Sequence, residues 1–185
     1  VLCRDNNVPT MLQISTALYG AALARSGQTT EGISTLRESH RSYSESIGTG
    51  NYHTLQLLWL GEAFLSGRQF PDAIETAGRA LEFSRRFHHA AFEGWALRLL
   101  GEIERRAAPH PLLAAEDHLR QALALGQKLG MRPLVARCHA DLASLHRHGD
   151  RDAEAAQHFQ IASMMYRDMS MRYWLEQLEA EMEAS

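Results

Sequence analysis

The sequence predicts an all-α protein built from antiparallel helical hairpins that follow one another along the chain, and three observations lead to this fold class. Apolar residues recur at helical spacing in long segments, for example at Leu55, Leu58 and Trp59. No stretch alternates with the period of two that a half-buried strand shows. Similar segments return after about 40 residues, with small residues at equivalent positions. A repeat of this length corresponds to one helical hairpin.

Each break in the helical pattern falls where helix-ending residues stand. The first hairpin, about 9–48, turns at Gly27 with Thr29 as the N-cap of its second helix, and the second, about 50–89, turns at Gly67. The third hairpin covers about 90–130 and has two extra loop residues around Pro109 and Pro111. These three hairpins, with the fourth hairpin and the final helix described below, divide the chain into about nine helices.

The last third of the chain continues the same pattern. A fourth hairpin is predicted over about 131–171, with Pro133 in the first helical turn, Gly149 as a C-cap and Asp150 as a candidate N-cap. Pro71 occupies the corresponding first-turn position in the second hairpin. A final helix over 172–185 carries its apolar residues on one face and glutamates elsewhere, which is typical of a terminal capping helix. The whole chain, 1–185, is thus predicted to be a single repeat domain.

Small residues occur at fixed places in every hairpin. The first helices carry Gly20, Gly61, Gly101 and Ala143, which are 41, 40 and 42 residues apart. The second helices carry two further sets: Gly32, Ala73, Ala115 and Ala155, then Ser39, Ala80, Ala122 and Ala162. Such residues let two helices approach closely while bulky neighbours fill the grooves. The positions therefore predict close packing within each hairpin.

With this spacing the chain resembles the tetratricopeptide repeat (TPR), whose pattern is Trp-x-x-Leu-Gly-x-x-Tyr followed by Ala-x-x-x-Phe-x-x-Ala. Residues 60–80 match best, with Leu60-Gly61-x-x-Phe64 and Ala73-x-x-x-Ala77-x-x-Ala80. Ala77 departs from the usual aromatic residue, and Glu104 stands at the aromatic position of the third hairpin. The resemblance implies a right-handed superhelical TPR-like solenoid, with repeats of about 40 residues in place of the usual 34.

A narrower resemblance covers residues 129–185. Their ending, "MYRDMSMRYWLEQLEAEM", looks like the closing segment of large bacterial signalling proteins that join a class III adenylate/guanylate cyclase domain, an AAA-type ATPase module and tetratricopeptide repeats. Related endings occur in ATPase-linked transcription activators of the MalT type, so this second kind of parent protein stays open. The resemblance implies a C-terminal regulatory region in bacterial cyclic nucleotide signalling.

Composition limits the partners and the compartment. The chain has 185 residues, 45% of them hydrophobic and 22% charged, which is typical of a soluble globular protein. A net charge of −3 argues against nucleic acid and against an anionic membrane surface. Cys3 and Cys138 form no disulfide or zinc pattern, and no run of 18 apolar residues occurs. We expect a cytoplasmic protein and, because "VLCRDNNVPT" has no initiator Met or signal pattern, a piece of a longer one.

No catalytic or cofactor motif is recognisable. The glycine-rich phosphate loop is missing, and no residues match the metal-binding aspartates of a cyclase domain, so we expect this chain to be no enzyme and to bind no cofactor. The stretch "RCHADLASLHRHGD" (137–150) invites a metal-site interpretation. His139 and His146 lie seven residues apart, about 10 Å along a helix, which is too far to share one metal ion. We expect both to be packing residues, with His148 and Asp150 facing solvent.

The face of each first helix that lines the concave side of such repeats supplies a candidate groove for a partner peptide. Arginine and tryptophan are common at peptide-binding surfaces because they offer paired hydrogen bonds and a large contact area. The residues predicted on this face are Leu58, Trp59, Glu62, Trp95, Arg98, Glu102, Arg105, Arg106, Arg137, Asp141 and Arg147. The expected partner is a protein or peptide segment with acidic and apolar residues, or a neighbouring domain of the parent chain. A homo-oligomerisation module is an alternative.

Overall fold

A computed structural model describes residues 9–46, 51–107 and 112–184. Within these ranges the chain forms nine α-helices and no strand, which confirms the all-α prediction. The helices are α1 (Pro9–Arg25), α2 (Thr29–Ser46), α3 (Asn51–Ser66), α4 (Phe70–Arg86), α5 (Ala90–Ala107), α6 (Leu112–Lys128), α7 (Arg132–His148), α8 (Asp152–Asp168) and α9 (Arg172–Ala184). No helix in this part of the chain is long and apolar enough to cross a membrane. The loop around Pro109 and Pro111 lies outside the described residues.

The chain divides into two compact units, Val1–Phe92 and Glu93–Ser185. In the first unit α1 packs on α2, α2 on α3 and α3 on α4. In the second unit α6 packs on α7, α7 on α8, and α9 on both α8 and α7. Most of these packed helices are consecutive in the sequence. The single repeat domain over 1–185 stays a prediction.

Six turns between helices have the same backbone conformation. In each turn, the second residue after the helix has a positive φ, and the two backbone hydrogen bonds of a Schellman motif close the helix. After α3, for example, Gln69 N–H donates to Phe64 O and Arg68 N–H donates to Leu65 O. The positive-φ residues are Gly27, Arg68, His88, Gly130, Asp150 and Ser170. Gly67 and Gly149, predicted as the caps, each stand one position earlier. Asp150 occupies the left-handed position, and the N-cap of α8 is Arg151.

The small residues pack as the sequence predicts. A Cβ added to Gly32 would lie 2.6 Å from the backbone nitrogen of Ala24, and one added to Gly101 would lie 2.6 Å from Cγ of Leu119. Real Cβ atoms do not approach other atoms so closely. The equivalent positions of the later second helices are buried alanines: Ala73, Ala80, Ala115, Ala122, Ala155 and Ala162. Helix backbones within a hairpin therefore touch through these positions.

The core of the second unit also seats the final helix. Leu178 of α9 is buried with Ala136, Ala140, Ala162 and Tyr166 from α7 and α8. Trp174, Leu175 and Met182 of α9 pack against the same cluster. The apolar face predicted for this helix is thus the face by which it docks.

Candidate functional site

A buried network of charges joins α5 to α7 in the second unit. Arg98 is only 1% exposed, and its guanidinium forms ion pairs with Glu102 one turn along α5 and with Asp141 on α7, where Nε and Oδ2 are 2.7 Å apart. Glu102 also pairs with Arg106 at 2.7 Å and lies 3.8 Å from Arg137. Residues spaced by three or four share one helix face, which is why α5 can present Arg98, Glu102 and Arg106 together.

The two carboxylates of this network respond to it differently. Burial by itself would raise the pKa of Glu102, but the charges of Arg98, Arg106 and Arg137 outweigh it and lower that pKa to about 2. For Asp141, burial raises the pKa more than Arg98 lowers it, and the negative charge of Glu102 raises it further. The arginines therefore favour the charged form of Glu102, whereas burial and the charge of Glu102 disfavour the charged form of Asp141.

The last helix adds an aromatic ring and a carboxylate to the arginines. The guanidinium carbon of Arg137 lies 3.8 Å from the centre of the Trp174 ring, within cation–π distance. Nη2 of Arg105 is 3.0 Å from Oε1 of Glu181. Helices α5 and α7 thus carry one cluster of charges, which we call the arginine face; it comprises Arg98, Glu102, Arg105, Arg106, Arg137 and Asp141. Helix α9 lies against this face with Trp174 and Glu181.

The structure places the eleven predicted groove residues in two groups. Five are buried and cannot be reached by a partner in this conformation: Leu58, Arg98, Glu102, Arg105 and Asp141. The four charged residues among them pair with one another or with Glu181 inside the fold, and a role for these five residues in binding a partner stays a prediction. The other six are at least partly exposed: Trp59, Glu62, Trp95, Arg106, Arg137 and Arg147. Their role in binding a partner stays a prediction.

In the first unit, the predicted residues make local contacts. Glu62 pairs with Arg25 of α1 at 2.7 Å, on a surface where both side chains are substantially exposed. Trp59 packs edge-on against Tyr52, with ring centres 6.1 Å apart. Exposed pairs of this kind contribute little to stability. This unit shows nothing comparable to the buried network of the second unit among its described residues.

The histidines of 137–150 lie where packing residues were predicted, but they have polar partners. His139 and His146 are both buried, and His158 of α8 lies between them, with ring centres 5.0 and 5.1 Å away. Nδ1 of His139 is 2.7 Å from Nδ1 of His158, so one ring donates its proton to the other. His146 donates through Nε2 to Glu116 at 3.1 Å. These contacts link α6, α7 and α8.

The chemistry that the cysteine and histidine cluster first suggested is not arranged here. Burial raises the pKa of Cys138 to about 12, so its thiol carries no reactive thiolate at neutral pH. Within the part of the chain that the structure describes, no three His, Cys, Asp or Glu side chains are placed to hold one metal ion. His148 and Asp150 are exposed, as the sequence predicts.

Solved structures share this architecture. Aspartyl phosphate phosphatase F from Bacillus subtilis matches with a TM-score of 0.75 over 92% of this chain, at 14% identity. The kinesin light chain TPR-like repeats from Podosopora anserina match with a TM-score of 0.68, covering 95% of both chains at 13% identity. The fold is TPR-like. The TPR resemblance read from residues 60–80 is therefore right about the fold.

BtubC (BKLC) from P. vanneervenii matches with a TM-score of 0.71 over 88% of this chain, at 16% identity. The chain spans 44% of the length of the phosphatase structure and 66% of BtubC. No protein-family model and no curated protein matches the sequence. At sequence identities this low, the similarity to these structures shows a TPR-like fold and gives neither an activity nor a partner.

Sequence reasoning missed four residues that complete these clusters: Trp174, Glu181, Glu116 and His158. The repeat register could have indicated Glu181. Helices α7 and α9 begin at Arg132 and Arg172, which are 40 residues apart, so Glu181 is equivalent to Asp141 in the repeat. Trp174 was assigned to the apolar face of a cap, and its contact with Arg137 depends on how α9 lies on α7. His158 and Glu116 lie among other polar residues of second helices, and nothing in the repeat pattern distinguishes them.

Proposed function

We propose that this chain is a protein-interaction scaffold that binds an acidic and apolar segment at the arginine face. The observation that carries the proposal is Arg106, whose side chain is 44% exposed beside the buried charges and can still donate hydrogen bonds to a partner. Arg137 and Arg147 are partly accessible on α7. A guanidinium held in place by Glu102 has lost much of its freedom already, so binding costs it less entropy. We propose no catalytic role for the chain.

A display experiment tests this. The whole chain is used to select peptides from a random library, and the selected peptides are expected to be rich in Asp, Glu and aromatic residues. Arg106→Ala is expected to weaken their binding about tenfold, since a charge-assisted hydrogen bond contributes about 1.5–3 kcal/mol. Arg132→Ala is the matched control, because Arg132 is an arginine of comparable exposure, 58% against 44%, that pairs with Asp168 of α8. Equal weakening by both substitutions, or no selected peptide, would contradict the proposal.

We further propose that the scaffold is the regulatory region of a bacterial nucleotide cyclase and works in the cytoplasm. The support is the resemblance of residues 129–185 to the closing segment of such proteins, together with the TPR-like fold. Sequencing the full reading frame and assaying the whole protein for cyclic nucleotide formation from ATP or GTP tests this. A DNA-binding helix-turn-helix following residue 185 would favour the MalT-type activator instead. Self-association as the main role would show as concentration-dependent mass in sedimentation.

A further inference from the structure

Helix α9 fills the arginine face in the way that a bound peptide would. Trp174 stacks on Arg137 and Glu181 pairs with Arg105, and both arginines lie on the preceding first helices, α7 and α5. The two α9 residues are seven positions apart, about 10.5 Å or two helical turns, so they project from one side of the helix. Leu178, between them, is buried against α7 and α8. An aromatic ring, an apolar residue and a carboxylate thus share one docking face.

We propose that α9 is an internal ligand, and that the partner of this module is an acidic amphipathic helix that displaces it. The partner helix would carry an aromatic residue, an apolar residue four positions later and a carboxylate seven positions after the aromatic. This inference rests on the proposed function, because it names the segment that the arginine face binds. When the partner helix binds, Arg137 exchanges the Trp174 ring for an aromatic ring of the partner. Arg105 likewise exchanges the Glu181 carboxylate for a carboxylate of the partner.

The burial of α9 is compatible with exchange. Helix α7, from Leu134 to His146, buries nearly every side chain, whereas in α9 the contact residues Trp174, Leu175 and Met182 stay partly exposed. Glu181 is 38% exposed although its partner Arg105 is 5% exposed. The arginine is therefore part of the scaffold, and the carboxylate is the removable half of the pair. A competing helix replaces contacts of equal kind, so the net cost of displacement is small compared with unfolding.

The probe is a fluorescent peptide of residues 172–185, titrated into the whole chain. In the wild type the tethered α9 competes at an effective concentration near millimolar, so the peptide binds weakly. With Trp174→Ala and Glu181→Gln in the protein, we expect the peptide to bind at least tenfold more tightly. A peptide carrying the same two substitutions is expected to lose that binding. The matched protein control is Glu176→Gln with Glu183→Gln, two exposed carboxylates of α9, which should leave the affinity at the wild-type level.

Two further measurements keep the result decisive. Glu181→Gln alone, a milder change, is expected to strengthen peptide binding by a few fold, and circular dichroism shows that each variant is folded. Amide hydrogen exchange within 172–184 should rise when a display-selected peptide binds the wild type. Unchanged peptide affinity in the folded double variant, or exchange of α9 between two copies in a dimer, overturns the inference. If selected peptides bind through Arg106 while α9 stays protected, the proposed function stands and this inference fails.

Discussion

Replacing Arg98 with methionine removes the charge that joins α5 to α7 while keeping an unbranched side chain of similar length. Glu102 would retain Arg106 at 2.7 Å, but Asp141 would lose the guanidinium that lies 2.7 Å from its Oδ2. The variant therefore leaves a carboxylate buried with one partner fewer. Such a change is among the most destabilising that a single substitution can make.

The size of the effect follows from the distance and the burial. Two unit charges 2.7 Å apart attract by about 6 kcal/mol at an effective dielectric constant of 20. Relief from burying Arg98 itself offsets part of this, and breaking a buried pair typically costs about 3–5 kcal/mol. For a chain of 185 residues, that loss lowers Tm by about 10 °C. Arg132→Met, at an exposed pair, is expected to change stability by less than about 0.5 kcal/mol.

Urea unfolding at pH 8 and pH 5 provides the assay. Burial already raises the pKa of Asp141, and without Arg98 that pKa rises further, so the folded variant takes up a proton that the unfolded chain does not. The loss should therefore be smaller at pH 5 than at pH 8. Adding Asp141→Asn should recover at least half of the loss at pH 8. A loss under about 1 kcal/mol, or one that is the same at both pH values and insensitive to Asp141→Asn, would refute the reasoning.

Three further predictions concern packing, turns and pH. Gly101→Ala should destabilise the chain by about 1–3 kcal/mol, because its Cβ would meet the facing helix. Gly78→Ala, with open space around it, should stabilise the chain by up to about 1 kcal/mol. Urea unfolding should therefore give changes of opposite sign for the two variants. Arg68→Gly should stabilise by about 1 kcal/mol, since Arg68 has φ of 55°, and no gain in Tm would argue against strain at this turn. Burial, followed by the charges of nearby histidines, lowers the pKa of His158 to about 4. The unfolded chain therefore binds a proton at this residue before the folded one does, and the free energy of unfolding falls as the pH drops from 6.5 towards 4. The slope is at most about 1.4 kcal/mol per pH unit. His158→Gln should flatten that slope, and an unchanged slope would mean that His158 titrates normally.

Repetition made the fold predictable. Every hairpin carries small residues at equivalent positions, so a pattern that would be weak in one hairpin becomes clear because it occurs four times along the chain. The turns show the limit of this reasoning. The sequence correctly located the turns after α1, α3 and α7, but glycine marks the left-handed position only at Gly27 and Gly130. The same turn also forms at Arg68, His88, Asp150 and Ser170, where the two Schellman hydrogen bonds close the helix although the left-handed residue is not glycine.

The candidate site was predicted in part. Register along α5 and α7 assigned Arg98, Glu102, Arg106, Arg137 and Asp141 to one face of each helix, and the structure brings these side chains into one cluster. Helical spacing also predicted that His139 and His146 lie about two turns apart on one helix. It could not show that His158 of another helix lies between them, since a contact between helices depends on their packing and not on spacing within one helix.

The sequence alone therefore determined the helices, the hairpins and the side of each helix that carries the charges. Only the tertiary structure decided which charges are buried and what meets them. Arg98 and Arg106 are two turns apart on one face, yet the first is inside and the second is partly exposed, because α7 covers one and not the other. In the same way Trp174 and Glu181 resemble parts of a simple cap until α9 is placed against Arg137 and Arg105. Burial and pairing are properties of neighbouring helices, and a local pattern does not contain them.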